Sequence, residues 1–179
     1  MPGVWRTRVG YAGGTLKDPT YHRMGDHTES FQVDFDPAVL SYEALLELFW
    51  QSHNPCGSSW SRQYMSAVFT HSEEQKKAAE AARARVAEKR GTVKTPILPV
   101  GTFTLAEDYH QKYELRGADV LGKEFASMFA TDAEFVASTA VARANAVVAG
   151  VLPRERLLKE VDRYGLSPAG RERLLAYAK

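Results

Sequence analysis

Three groups of side chains in this sequence have types and spacings that could do chemistry. The first is the glycine-rich segment Gly10-Tyr11-Ala12-Gly13-Gly14, which follows a strand-like stretch. A glycine-rich turn can bind phosphate, but this one lacks both the G-x-G-x-x-G spacing and the Lys-Ser/Thr pair of a phosphate loop. A tight turn that requires a positive φ is therefore the favoured interpretation.

The second group combines Tyr21 and His27 with Glu29. Glu29 shares one face of a predicted strand with three apolar residues, which are Phe31, Val33 and Phe35. A carboxylate on an apolar face is costly unless it is paired or protonated, and burial favours the protonated form that can donate a proton. Glu29 is therefore a candidate proton donor. The alternative is that it lies at the strand end, where the face is open to water.

The third group lies in the loop from His53 to Ser61, which contains Cys56 and precedes Gln63-Tyr64. A loop cysteine beside a histidine could be activated as a thiolate nucleophile, although most lone cysteines are unreactive. The five histidines form no i, i+4 pair, so their spacing does not indicate a metal site.

These groups are positioned by a predicted mixture of short strands and helices. The predicted strands are Val4–Tyr11, Glu29–Asp36, Tyr64–Phe69 and Thr102–Leu105. Helices are predicted from the N-cap Ser41 to Ser52, from the N-cap Ser72 to Arg90 before Gly91, and over most of residues 119–179. Such an order predicts an α/β or α+β sandwich core with a helical extension.

Composition limits the classes of protein to which the chain can belong. Its 179 residues suit one domain with an appendage, and 23 Lys+Arg against 22 Asp+Glu argue against a dedicated nucleic-acid binder. The single cysteine, Cys56, excludes an internal disulfide framework and favours a reducing compartment. No apolar stretch suits a signal peptide or a membrane span. We therefore expect a cytoplasmic protein with no nucleic-acid or membrane partner.

A series of motifs between Gly3 and Tyr113 identifies a family. In chain order the motifs include Gly10-Tyr11-Ala12-Gly13-Gly14, Asp18-Pro19-Thr20-Tyr21, Gly25-Asp26-His27-Thr28-Glu29, Asp34-Phe35-Asp36-Pro37, Gln63-Tyr64-Met65-Ser66-Ala67 and Ala106-Glu107-Asp108-Tyr109-His110-Gln111-Lys112-Tyr113. This ordered set resembles the A-type peptide methionine sulfoxide reductases. The resemblance implies an α/β fold, namely a two-layer ferredoxin-like sandwich that is truncated at its N-terminus. It assigns residues 1–117 to an N-terminally incomplete catalytic domain and residues 118–179 to a C-terminal helical extension.

The resemblance also implies a reaction. It predicts an oxidoreductase of protein repair under oxidative stress, which reduces methionine S-sulfoxide, protein-bound or free, through a cysteine sulfenic acid. Glu29 would donate the proton, and the hydroxyls of Tyr21 and Tyr64 would bind the sulfoxide oxygen. The predicted protein has no bound cofactor and no metal, and thioredoxin or another thiol would be the reductant.

One departure from the family pattern concerns the nucleophile. The family carries it in a Gly-Cys-Phe-Trp-Gly motif upstream of the segment that matches Gly3-Val4, and Cys56 does not align with it. Three interpretations remain open at this point. The start of the chain could be assigned too far downstream, the protein could bind methionine sulfoxide without reducing it, or Cys56 could serve as the nucleophile.

Overall fold

The computed structural model describes residues 1–179, and its first sheet contains three strands. They are β1 (Val4–Ala12), β2 (Thr28–Phe35) and β5 (Thr104–Leu105), in the order β2-β1-β5. β5 pairs antiparallel with β1, with Gly10 opposite Leu105. At Gly10 a Cβ atom would lie 2.3 Å from the carbonyl oxygen of Thr104, so only glycine allows this close approach.

A second, two-stranded sheet pairs β3 (Val68–Thr70) in parallel with β4 (Ile97–Pro99). The crossover between them is the helix α2 (Glu73–Arg90), as parallel pairing requires a long connection. The preceding helix is α1 (Tyr42–Gln51). Proline at the end of β4 suits a strand that pairs on one side only.

The ends of both helices follow the capping residues predicted from the sequence. Ser41 accepts a hydrogen bond from the backbone N–H of Ala44 at 3.1 Å, and Ser72 accepts one from Gln75 at 3.2 Å. Gly91 ends α2 with a φ of 88°, a conformation that glycine adopts at no steric cost. The predicted helix boundaries are therefore confirmed to within one residue.

Two predicted strands were wrong in their extent. The strand predicted from Tyr64 begins only at Val68, because Tyr64 lies in a turn where its N–H donates to Ser61 Oγ. The strand predicted from Thr102 is reduced to Thr104–Leu105. The Glu29–Asp36 strand is present as β2, but its apolar face is open at Phe31, which is 66% exposed.

The C-terminal third is helical, as the sequence predicts. Its helices are α3 (Tyr113–Gly117), α4 (Asp119–Ser127), α5 (Asp132–Ala137), α6 (Thr139–Val148), α7 (Arg154–Leu158) and α8 (Pro168–Tyr177). Pro153 is the N-cap of α7 and Pro168 occupies the first turn of α8, where a missing N–H costs nothing. None of the helices is both long enough and apolar enough to cross a membrane.

The chain divides into two compact units, each with its own apolar core. The first comprises Met1–Gly3, Val9–Phe31 and Phe35–Ala106, and the second comprises Val4–Arg8, Gln32–Asp34 and Glu107–Lys179. In the first unit α1, α2 and β3 bury Leu46, Trp50, Val68, Ala79 and Ala82. In the second unit the helices bury a larger set, which includes Leu115, Leu121, Phe125, Phe135, Val141, Val147, Leu157, Val161 and Leu174. The boundary at residue 117 stays a prediction.

Candidate active site

Glu29 lies near the beginning of β2, where Gln63 holds it by two hydrogen bonds. The Gln63 side-chain amide donates to Glu29 Oε1 at 2.8 Å, and the Glu29 N–H donates to the Gln63 carbonyl at 3.0 Å. The Glu29 carboxyl group is thus oriented through Oε1 and through the backbone next to it.

Tyr64 follows Gln63 directly, and its hydroxyl is hydrogen-bonded to Tyr21. This hydrogen bond, with desolvation and the negative charge of Glu29, raises the pKa of the Tyr64 hydroxyl. Both tyrosines are accessible, with 36% of Tyr21 and 45% of Tyr64 exposed. The two tyrosine hydroxyls therefore lie together at the surface of the first unit, and the charge of Glu29 acts on Tyr64.

Tyr21 is carried by a loop that Asp26 closes. The Asp26 carboxylate accepts hydrogen bonds from the N–H of Thr15 at 2.8 Å, from the Thr15 hydroxyl at 3.0 Å and from the N–H of Leu16 at 3.2 Å. Hydrogen bonds from the backbone of Thr15 and Leu16 stabilise the charged form, and they lower the pKa of Asp26 to about 2. Asp26 is therefore charged near neutral pH, and its carboxylate holds the loop together through these hydrogen bonds.

His27 holds the same loop from inside. It is 2% exposed, its Nδ1 accepts from the Gly14 N–H at 3.3 Å, and its Nε2 lies 2.9 Å from the Leu16 carbonyl. The two contacts fit a tautomer in which Nδ1 accepts and Nε2 donates. The structure therefore gives His27 a structural role in the cluster that sequence inspection formed from Tyr21, His27 and Glu29.

Arg62 joins the loop to the Gln63-Tyr64 segment. Its Nε donates to the Asp26 carbonyl at 3.1 Å, and its Nη2 donates to the Gly13 carbonyl at 3.0 Å. Its own carbonyl accepts from the Thr28 hydroxyl at 3.0 Å, next to Glu29. The sequence did not predict this role of Arg62. Its side chain binds backbone carbonyl oxygens, which every residue has, so no acidic partner in the sequence indicates the contact.

The glycine-rich segment forms the expected tight turn. Gly13 has a φ of 75°, and a Cβ atom there would lie 2.4 Å from the ring of Phe69. A Cβ atom at Gly14 would lie 2.5 Å from the ring of His27. Lack of space and backbone conformation thus account for both glycines, as the turn interpretation predicted.

Cys56 and His53, which sequence inspection grouped as a possible nucleophile and base, have separate partners. Cys56 Sγ donates to the Arg90 carbonyl at 3.3 Å, at the C-terminal end of α2. The His53 ring contacts the Phe49 carbonyl at 2.8 Å and the Thr95 hydroxyl at 2.9 Å. The activated pair is therefore not formed in this structure.

The cluster of Glu29, Tyr21 and Tyr64 can bind a polar oxygen and exchange a proton with it. The tyrosine hydroxyls can donate hydrogen bonds, and the charge of Glu29 acts on Tyr64 beside them. Elsewhere, no group of three or more His, Cys, Asp and Glu side chains is arranged to hold a metal ion. The chemistry that the cluster offers is recognition and protonation of an oxygen atom.

Comparison with known proteins assigns the chain to a family. Residues 1–139 match the family model described as peptide methionine sulfoxide reductase. A peptide methionine sulfoxide reductase of Drosophila melanogaster is 40% identical over 174 residues, which cover 95% of this chain and 69% of the relative. Peptide methionine sulfoxide reductase A5 of Oryza sativa subsp. japonica is 36% identical over 156 residues, with 83% and 61% covered.

An archaeal relative covers less of the chain at higher identity. The reductase MsrA of Methanosarcina mazei is 44% identical over 126 residues, which cover 63% of this chain and 59% of the relative. The chain thus spans about three fifths of the length of the rice and archaeal relatives.

Two solved structures share the fold. Methionine sulfoxide reductase A of Corynebacterium diphtheriae superposes with a TM-score of 0.55 at 30% identity, over 68% of this chain and 67% of that chain. Reduced Mxr1 of Saccharomyces cerevisiae gives a TM-score of 0.60 at 27% identity, over 66% and 73%. The mixed α/β fold is that of methionine sulfoxide reductases, and this chain belongs to the peptide methionine sulfoxide reductase family.

Proposed function

We propose that this protein is a peptide-methionine (S)-S-oxide reductase, in which Glu29, Tyr21 and Tyr64 bind and protonate the sulfoxide oxygen. The observation that carries the proposal is the cluster itself. One carboxyl oxygen of Glu29 is held by Gln63, the Tyr64 hydroxyl is hydrogen-bonded to that of Tyr21, and the charge of Glu29 acts on Tyr64. A sulfoxide oxygen accepts hydrogen bonds, so it is complementary to these donors.

The role of the cluster follows from the poor leaving ability of the sulfoxide oxygen. A thiol attacks the sulfoxide sulfur, the S–O bond breaks, and the oxygen is transferred to the thiol sulfur, which gives methionine and a sulfenic acid. Protonation of the oxygen by Glu29 and hydrogen bonds from both tyrosines lower the barrier to this transfer. Two further thiol groups of a reductant, thioredoxin or a small dithiol, then reduce the sulfenic acid, giving a thiol, a disulfide and water.

The attacking thiol is proposed to be one other than Cys56. Cys56 is hydrogen-bonded to the Arg90 carbonyl, and His53, the nearest histidine in sequence, is bonded to Thr95 instead. A family-type nucleophile in a Gly-Cys-Phe-Trp-Gly motif would lie upstream of Gly3-Val4 in a longer chain. This part of the proposal rests on the family resemblance and on the position of Cys56.

A second candidate function is binding of methionine sulfoxide without reduction. It is favoured by the same observation on Cys56, since the 179 residues contain no other cysteine. In that case the tyrosines and Glu29 would recognise the oxygen, and no sulfenic acid would form. The substrate in either case is methionine sulfoxide, either free or within oxidised proteins.

Reduction of methionine S-sulfoxide with dithiothreitol tests these alternatives. We expect turnover from a chain extended upstream through a Gly-Cys-Phe-Trp motif, and binding without turnover from the 179-residue chain. Turnover by the 179-residue chain that disappears in Cys56→Ser would instead make Cys56 the nucleophile. If the extended chain binds the sulfoxide but does not turn over, the binding function replaces the reductase.

A further inference from the structure

An exposed tryptophan lies directly beside the proposed sulfoxide site. Trp60 is 83% exposed, more than any other large apolar side chain in the protein. Its ring centroid is 5.1 Å from that of Tyr64, with 35° between the two ring planes. Tyr64 therefore presents its hydroxyl to Tyr21 and its ring to Trp60.

The loop that carries Trp60 is held in place. The Ser59 hydroxyl donates to the Ser61 carbonyl at 2.7 Å, and the Ser61 hydroxyl accepts from the Tyr64 N–H at 3.3 Å. Arg62 fixes the same loop to the carbonyls of Gly13 and Asp26. Because the residues on both sides of Trp60 are hydrogen-bonded, Ser59 through its hydroxyl and Ser61 through its carbonyl and hydroxyl, a ligand that covers the Trp60 ring orders little additional chain.

We propose that Trp60, together with the ring of Tyr64, binds a large apolar or aromatic side chain of the substrate peptide, two residues away from the methionine sulfoxide. This inference rests on the proposed function, since it uses Tyr64 as the anchor of the sulfoxide oxygen. An exposed indole loses unfavourable hydration when an apolar side chain covers it, and aromatic pairs add a specific attraction.

The position in the peptide follows from spacing. In an extended peptide the side chains of residues i and i+2 point to the same side, about 6.6 Å apart, whereas residue i+1 points to the opposite side. The two rings here are 5.1 Å apart, and the Tyr64 hydroxyl lies beyond its ring. A sulfoxide oxygen bound by the Tyr64 hydroxyl and a side chain packed on Trp60 thus fit residues i and i±2 of one extended peptide.

The subsite makes the protein select among methionine sulfoxides by sequence. Oxidised peptides with a Phe or a Leu two residues from the sulfoxide bind more tightly than those with Gly there. Free methionine sulfoxide, which has no such residue, gains nothing from Trp60. The preferred substrate class is therefore an extended or unfolded apolar segment of an oxidised protein.

The test is equilibrium binding to the full chain by calorimetry, which does not depend on turnover. The probes are pentapeptides with a central methionine S-sulfoxide in Gly, carrying one Phe at −2, −1, +1 or +2, and the matching unoxidised peptides. We expect Phe at −2 or +2 to strengthen binding about tenfold over the all-Gly peptide, and Phe at −1 or +1 to change it little. Trp60→Ala removes the preference, and Trp60→Phe keeps most of it.

Leu48→Ala is the matched control, since Leu48 is an exposed apolar residue on α1. It should leave the preference unchanged. If Trp60→Ala keeps the same preference as the wild type while sulfoxide peptides still bind better than methionine peptides, the subsite is overturned and the proposed function stands. If the wild type binds sulfoxide and methionine peptides equally, the proposed function fails, and the subsite fails with it.

Discussion

Lys112 is a buried lysine, and its titration should change the stability of the second unit. It is 5% exposed, and its Nζ donates to the Thr7 carbonyl and, at 2.8 Å, to the Thr7 hydroxyl. Burial, with the nearby positive charge of Arg8, lowers the pKa of Lys112 from 10.5 to about 8. No carboxylate is paired with it.

The sign and size of the effect follow from this pKa. Between about pH 8 and pH 10.5 the unfolded chain binds the proton and the folded chain has released it, so the free energy of unfolding rises with pH. At about 1.4 kcal/mol per pKa unit, the gain from pH 7 to pH 10 is about 2 to 3 kcal/mol. The neutral amine still donates to Thr7, so the hydrogen bonds do not cancel the gain.

The assay compares the wild type with Lys112→Met by urea unfolding between about pH 7 and pH 10. The difference between the two proteins cancels other groups that titrate in this range, including the tyrosines. We expect the free energy of unfolding of the wild type to rise relative to that of the variant by about 2 to 3 kcal/mol. A difference that stays constant within about 0.5 kcal/mol would refute the reasoning.

Three further predictions concern the site and the cores. Glu29→Gln keeps the acceptor for Gln63 but removes the acidic proton, so sulfoxide binding should persist while turnover of an active chain falls about 100-fold or more in the thiol-dependent assay. Asp26→Asn should lower the thermal midpoint near pH 7, because the Asp26 carboxylate stabilises the folded loop above its unfolded pKa of 3.8. The difference in thermal midpoint between the wild type and Asp26→Asn should vanish as the pH falls towards 2, and a difference that does not depend on pH would contradict this prediction. Phe125→Ala should cost about 3 to 5 kcal/mol of unfolding free energy, since Phe125 is fully buried, whereas the exposed Phe31→Ala should cost less than about 0.5 kcal/mol; equal costs in urea unfolding would contradict the assigned cores.

Local sequence signals predicted the helices because their causes are local. Ser41 and Ser72 cap the helices that they were expected to cap, and Gly91 ends α2 where its positive φ is needed. Pro153 and Pro168 likewise mark the starts of α7 and α8. In each case a single side chain or backbone conformation determines the boundary.

Long-range contacts were not visible in the sequence. The residues after Tyr64 have strand-forming side chains, yet the segment turns, because the Gln63 carbonyl accepts from Glu29 and the Ser61 hydroxyl accepts from Tyr64. The alternation of β2, which places Glu29 on the same strand face as Phe31, suggested that this face is buried, but Phe31 is largely exposed. Strand extent depends on which neighbours pair, and no local pattern encodes this.

The site could be assembled from the sequence only in part. The family motifs predicted Glu29, Tyr21 and Tyr64 as site residues, and the hydroxyls of the two tyrosines lie together in the structure. The hydrogen bond from Gln63 to Glu29 and the contact between the Trp60 and Tyr64 rings have no signal in the sequence. Both depend on the path of a loop that is fixed by hydrogen bonds to a distant segment.

Binding of a methionine S-sulfoxide peptide tests the central claim most directly. We predict saturable binding of the S epimer to the full chain, no comparable binding of the R epimer or of the methionine peptide, and a loss of about tenfold or more in Tyr64→Phe. Tyr177→Phe, at an exposed tyrosine of α8, should bind as the wild type does. Equal affinity for the S-sulfoxide and methionine peptides, or undiminished binding by Tyr64→Phe, would contradict the account.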